Sequence, residues 1–138
     1  MDQQEVVIEY KKSLRKYIKQ LKQDKSDIWK SDVSSYILSR LENLDLFKSS
    51  NTVLLYHALP DEVQTASFLN KWYGIKRIAI PLVSGDILKL KLFTPDNVVS
   101  GYKGIPEPTS DSQTISPSEI DLAVIPGVAF DSHCNRLG

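Results

Sequence analysis

Apolar residues recur at helical spacing through the first third of the chain, and the period then changes. Tyr10, Leu14, Tyr17, Ile18 and Leu21 form one stripe, and Lys11, Arg15, Lys19 and Lys22 fall on a neighbouring one. This predicts a helix with a basic face. Ser26 is placed to cap a second helix with Asp27 in its first turn, and Trp29, Val33, Tyr36, Ile37, Leu41 and Leu44 make its expected buried face. The helical period fades in Lys48-Ser49-Ser50-Asn51. Thr52 to Tyr56 is then short, apolar and partly β-branched, the pattern of a buried strand. His57 to Asp61 reads as a loop. Glu62 to Tyr73 reads as a helix with Val63, Phe68, Leu69 and Trp72 inward and Gly74 as its stop. Ile78 to Val83 is a second strand, so strand, helix and strand form a βαβ unit with parallel strands. Ser84-Gly85-Asp86 turns into Ile87–Phe93, whose alternation from Leu88 to Leu92 marks a strand with one wet face. Residues 94–119 are rich in proline, serine and threonine and read as loop; Leu122 to Ile125 is the last strand.

These elements predict an α/β fold. It is a three-layer, mostly parallel open sheet flanked by helices, Rossmann-like, in one domain spanning 1–138. The strands at 52–56, 78–83 and 122–125 are expected to be neighbours in one parallel sheet. At 138 residues, with 41% hydrophobic and 25% charged side chains, the chain is long enough for one real core and has an ordinary globular composition. The 17 basic and 17 acidic side chains cancel, which removes a global electrostatic case for nucleic acid or an anionic membrane. Any anion site must therefore come from local arrangement. The single cysteine, Cys134, excludes an intrachain disulfide and a cysteine-rich metal cluster. No apolar run approaches the ~20 residues of a membrane span, and the N-terminus lacks an apolar signal core. A cytoplasmic monomer is expected.

Four places could carry chemistry. Lys11 and Arg15, four apart, project the same way; the ordinary reading is a solvated helix face, and the functional one is a phosphate clamp of a point charge and a planar fork. The loop His57–Glu62 follows a strand, where ligands of open α/β sheets sit. In it Asp61 or Glu62 could simply cap a helix, and His57 reads by default as a hydrogen-bonded structural residue. In Gly104-Ile105-Pro106-Glu107-Pro108 the prolines hold Glu107 extended, as in any rigid surface loop. Finally, Arg136 beside glycine at the end of 122–138 is either a phosphate ligand or a solvated arginine. The chain has no metal-ligand pattern, no G-x-G-x-x-G, no Walker loop and no G-x-S-x-G.

Taken in order, KKSLR at 11–15, YHALPDEVQT at 56–65, GIPEP at 104–108 and DLAVIPGVAFDSHCNRLG at 121–138 resemble the 5-formyltetrahydrofolate cyclo-ligase (methenyltetrahydrofolate synthetase) family. The resemblance spans nearly the whole chain. It implies ATP-dependent conversion of 5-formyltetrahydrofolate to 5,10-methenyltetrahydrofolate, with ADP and phosphate released, and ATP and Mg2+ as the small molecules required. It further implies that Lys11 and Arg15 contact ATP phosphates and that Arg136, Leu137 and Gly138 begin the ATP loop. His57 and Glu62 would line the folate site, with Glu62 catalytic and orienting the formyl-bearing part. Family members continue beyond this loop with a glycine- and lysine-rich segment, a Tyr-Tyr-Asp and a further strand and helix. The chain is therefore expected to lack the magnesium-binding aspartate and to be weak or inactive by itself. Cys134 stands where the family usually has glycine; if that turn needs a positive φ, cysteine is strained there. From the residues alone, a non-catalytic α/β module that binds a phosphorylated small molecule remains the alternative.

Overall fold

The computed structural model describes residues 1–138, the side chain of Tyr102 excepted. Its centre is a five-stranded sheet of β1 (Thr52–Leu54), β2 (Arg77–Ser84), β3 (Ile87–Leu92), β6 (Thr114–Ile115) and β7 (Leu122–Ala123), in the order β6-β3-β2-β1-β7. β1 pairs parallel with both β2 and β7, through Val53↔Ile78 and Val53↔Leu122. β3 runs antiparallel to β2 and to β6, so four of the five strands point the same way. The three strands expected to be neighbours do share one parallel arrangement, with β1 in the middle. Two small antiparallel ribbons complete the chain: β4 (Val98–Ser100) with β5 (Pro106–Pro108), and β8 (Ala129–Phe130) with β9 (Arg136–Leu137).

The core lies where helices α2 (Asp27–Glu42), α3 (Asp45–Ser49) and α4 (Ala66–Trp72) meet β1 and β2. Leu38, Phe47, Val53, Leu55, Phe68, Leu69, Ile78 and Ile80 form one buried cluster. Val53 and Leu55 face the same way as Ile78 and Ile80 because alternate strand residues share a face. Phe47 has no exposed surface and anchors an aromatic group, 5.0 Å from Trp72 edge-on and 5.6 Å from Phe68. Glu42 ties this group to α2 by accepting from Trp72 Nε1 at 2.9 Å and from Lys71 Nζ at 2.8 Å. The short helix carrying Phe47 falls where the helical period fades, so the pattern of residues 45–51 concealed the most buried aromatic of the core.

Three expectations are corrected. The face of α2 that enters the core carries Ser34 and Leu38, with Val33 and Leu41 at its margins, whereas Trp29, Tyr36, Ile37 and Leu44 are exposed. Ser34 is drawn inward because its hydroxyl accepts from Gln64 N at 2.9 Å, and Trp29 is covered instead by Lys25, whose Nζ lies 5.0 Å from the ring centroid. β3 inverts the expected alternation: Leu88 is 62% exposed and Lys91 only 5%. Burial of the ammonium is tolerable because Ser110 O, Ser112 O and Thr114 Oγ1 accept all three of its protons at 2.8–3.1 Å. The third correction is the start of α4, at Ala66 rather than at Glu62.

Helix α1 (Gln3–Gln23) begins with a capping box in which Asp2 accepts from Glu5 N and Glu5 accepts from Asp2 N. Its apolar stripe has the helical period but little cover: Leu14 and Ile18 are half-buried, and Tyr10, Tyr17 and Leu21 are exposed. Substitutions should follow these burials. Phe47→Ala should cost about 3–5 kcal/mol in urea unfolding. Tyr10→Ala should change stability by no more than about 0.5 kcal/mol.

Candidate functional site

The site grows from the loop that leaves β1. Tyr56 is buried and its phenol donates to Val63 O at 3.2 Å. Burial pushes its pKa up to about 12, with the Glu62 carboxylate adding to the effect, so it stands as a neutral phenol. Thr65, fully buried, donates its hydroxyl to Tyr56 O at 2.5 Å and pins the start of α4 to the end of β1. Between them the exposed Gln64 braces the loop, its amide donating to Leu59 O and to Glu62 O, each at 2.9 Å. Glu62 closes a turn: its Oε1 accepts from Leu59 N at 2.7 Å and its own N–H donates to Leu59 O at 3.0 Å. Glu62 is therefore not at a helix N-terminus. Its backbone-satisfying role exists, but in a turn, which leaves the carboxylate fixed in the wall of a cavity.

That cavity measures 410 Å³ and opens at the carboxyl ends of β1 and β7. Leu38, Leu41, Val63, Val124 and Phe130 give it apolar walls, and Tyr56 and Glu62 supply polar groups. Pro126 and Gly127 also line it. The position and lining are those of a small-molecule site in an open α/β sheet. His57 lies beside it in a smaller cavity of 170 Å³ that also includes Tyr56 and Glu107. The His57 ring stands edge-on to Phe93 at 5.5 Å, and its buried Nε2 has no partner among the described residues. Burial pulls its pKa below the ordinary value, favouring the neutral ring.

The terminal loop packs behind Pro126. Asp131 organises it: Oδ1 accepts from His133 N at 2.8 Å and Asn135 N at 2.9 Å, and Oδ2 accepts from Asn135 Nδ2 at 2.8 Å. The Asn135 side chain first, then the backbone amides, hold its carboxyl below the usual carboxylate range. Cys134 takes φ +65°, so the strain expected of a non-glycine residue at this turn is present. Arg136 folds back, Nε donating to Pro126 O at 2.7 Å, and its guanidinium lies against Gly138. Leu137 is occupied in the ribbon, its carbonyl accepting from Val128 N at 2.7 Å.

Arg15 reaches across from α1, Nε donating to Gly138 O at 2.7 Å over a separation of 123 residues. Arg15 and Arg136 thus both lie against Gly138, and Arg136 touches the cavity wall through Pro126. Lys11 sits one turn before Arg15 and makes no hydrogen bond or ion pair among the described residues. Two guanidinium groups beside a glycine backbone suit the oxygens of a polyphosphate. No group of three or more His, Cys, Asp or Glu side chains able to hold a metal ion forms among the described residues. A magnesium ion held by phosphate oxygens, water and one carboxylate requires none.

Sequence reasoning missed Tyr56 and Gln64. Tyr56 had a usable signal, the last residue of an apolar strand; Gln64 had none, because its role exists only once the loop closes around it.

Two outcomes are expected. Because the folded-state pKa of His57 lies below its unfolded value near ~6.5, its neutral ring favours folding above that pH. Stability should fall as pH drops below ~6.5, well before the carboxylates titrate, and His57→Asn should flatten this part of a urea-unfolding pH series. Cys134→Gly should stabilise by about 1 kcal/mol, a rise of roughly 4 °C in Tm.

The model of the 5-formyltetrahydrofolate cyclo-ligase family matches residues 7–138. The 5-formyltetrahydrofolate cyclo-ligase of Escherichia coli (strain K12) is 28% identical over 95 residues, covering 64% of this chain and 52% of that enzyme. The structure of Aquifex aeolicus 5,10-methenyltetrahydrofolate synthetase superposes with a TM-score of 0.85 at 30% identity, over 93% of this chain and 66% of the other. That of the Mycoplasma pneumoniae 5,10-methenyltetrahydrofolate synthetase gives 0.70 at 26% identity, over 93% and 70%. The chain thus spans about half the length of the curated relative and two thirds of the first structure. A family match over almost every residue, joined to the same fold, means that the chain belongs to the 5-formyltetrahydrofolate cyclo-ligase family.

Proposed function

We propose that the protein converts 5-formyltetrahydrofolate to 5,10-methenyltetrahydrofolate with consumption of ATP. The observation that carries this reading is the pair of adjoining subsites at the carboxyl end of the sheet. One is apolar with a fixed carboxylate, and the other has two guanidinium groups around Gly138. The relatives' names supply the folate chemistry; the site supplies places for both reactants.

In this reading the formyl oxygen of the folate takes the terminal phosphoryl group of ATP and ADP leaves. The second folate nitrogen then attacks the formyl carbon and phosphate departs. Magnesium, when bound, would draw charge from the phosphate oxygens. The residues position these groups. Leu38, Leu41, Val63, Val124 and Phe130 exclude water around a flat ring system. Glu62, already held by Leu59 N, keeps its other oxygen for an N–H of the folate ring and so sets the formyl group. His57, with its neutral ring, lines the folate side. Arg15 and Arg136 bind phosphate, with Lys11 one turn away on the same helix and the Leu137–Gly138 backbone beneath. The Arg15 bond to Gly138 O would give way to phosphate contacts, since an anion is the stronger acceptor. The balanced net charge supports small molecules rather than nucleic acid as partners.

The test separates the two subsites. Glu62→Gln should weaken folate binding or cut turnover by roughly ten- to a hundredfold, the equivalent of ~1.5–3 kcal/mol, with ATP affinity nearly unchanged. Arg15→Ala should show the converse, a raised ATP constant with folate affinity retained. Calorimetric titration with each ligand, beside the rise of methenyltetrahydrofolate absorbance, reads both. Unchanged folate binding and turnover in Glu62→Gln would remove Glu62 from the mechanism. ATP binding without any folate binding would favour the phosphate-binding module instead.

A further inference from the structure

The ribbon of β8 and β9 carries one residue of each subsite. Phe130 lines the apolar cavity yet is 61% exposed, and Arg136 stands on the phosphate side. The two are a cross-strand pair, so their side chains leave the ribbon on the same face. Both cross the backbone of Gly127 at close range: a Cβ there would lie 2.6 Å from the Phe130 ring and 3.2 Å from Arg136 Cγ. Only glycine permits that approach. Arg136 is further tethered by its Nε bond to Pro126 O, while its terminal nitrogens lie beside Gly138. Pro126 and Gly127 line the same cavity as Phe130. The ribbon is closed at both ends. At its base Val128 N donates to Leu137 O at 2.7 Å, and at its tip Asp131 N donates to Asn135 O at 3.1 Å. The Asp131 carboxylate then takes the amides of His133 and Asn135 and the Asn135 side chain, which holds the turn although Cys134 sits at φ +65°.

We propose that this ribbon couples the two subsites: phosphate held by Arg136 sets Phe130 against the folate ring, so that each substrate tightens the binding of the other. The inference rests on the folate and ATP reading above and adds how the two sites communicate. The link is short. A phosphate oxygen bound by the terminal nitrogens of Arg136 fixes a side chain whose Nε already holds the Pro126 carbonyl. Arg136 and Phe130 share the space over Gly127, so neither moves without the other giving way. On the other side, a flat ring stacked on the exposed Phe130 removes the rotamer freedom of that side chain and, through the shared contact, of Arg136. The ligand that arrives first orders the ribbon, and the second finds it ordered; the entropy of ordering is lost once for two binding events. Linkage makes the effect equal in both directions. Asp131 is the positioning residue of this device. It lines neither subsite, and it holds the strand of Phe130 to the strand of Arg136.

The experiment is a calorimetric titration with 5-formyltetrahydrofolate, alone and in the presence of magnesium and a saturating non-hydrolysable β,γ-imido analogue of ATP, followed by the reverse titration. The analogue should raise folate affinity about tenfold, and folate should raise the affinity for the analogue by the same factor. Asp131→Ala should bring both factors to about one while each ligand alone binds within about twofold of the wild-type affinity; a urea-unfolding curve run beside it shows that the variant is folded. A loss of stability alone would not remove the coupling and spare the separate affinities. Gly127→Ala, whose methyl group displaces Phe130 from Arg136, should also bring the factors to about one, whatever it does to folate affinity alone. A wild-type factor of one, or a factor that survives both substitutions, overturns the coupling and leaves the two-subsite reading intact. Failure of the wild-type protein to bind one or both ligands overturns the coupling together with the reading beneath it.

Discussion

The parallel pairing of β7 with β1 is the contact on which the site depends. It joins residues about seventy positions apart, and only two residue pairs carry it, Val53↔Leu122 and Leu54↔Ala123. Such a short ladder is weak alone. Asp121 reinforces its start by accepting from Asn51 N at 2.9 Å and Thr52 N at 3.0 Å, while its own N–H donates to Thr52 O at 2.9 Å. These amide donors hold the Asp121 carboxyl below its usual range. Once β7 is docked, the chain beyond it has one direction to go. Val124, Pro126 and Gly127 become the wall facing Glu62, and the following loop is delivered to Arg15.

The second ingredient is the satisfaction of polar groups in places where water is scarce. Thr65 and Gln64 bond within the 56–65 loop and Ser34 reaches it from α2, and together they give that loop a shape before any ligand arrives. A loop prepared in this way loses less entropy on binding than a mobile one. His57 is the exception, with a buried nitrogen lacking a partner among the described residues. An orphaned buried nitrogen in such a site costs stability and is relieved by any ligand that can hydrogen-bond to it.

Charge is arranged by the same logic. A chain whose basic and acidic residues balance still concentrates cations along one side of α1, from Lys11 and Arg15 to Lys19 and Lys22. The helix period spreads these over successive turns, so one stripe serves two neighbouring regions. Its middle meets Gly138 and Arg136, and its end meets Lys30 and Lys103.

Much of this was legible in the residues. Strand periodicity located β1, β2 and β7 and their parallel sense, and four ordered motifs indicated the family. The positive φ at Cys134 followed from a residue standing where glycine is usual. What the pattern misjudged were choices between competing burials. Phe47 is buried and Trp29 is not, although both are aromatic in apolar surroundings, because only Phe47 faces Trp72 and Phe68. Lys91 is buried and Leu88 is not, because three acceptors from residues 110–114 converge on one ammonium. Glu62 closes a turn rather than starting a helix, because Leu59 N is the donor within reach. Local sequence determined the two long helices, the strands β1, β2, β3 and β7 and which side chains carry charge, since propensity, period and capping act over a few residues, whereas the short strands within 94–119 exist only through their pairing. Which face points inward, which polar groups are satisfied and which cations gather at a shared cavity were decided only by tertiary structure, because those energies depend on partners that are distant in the chain.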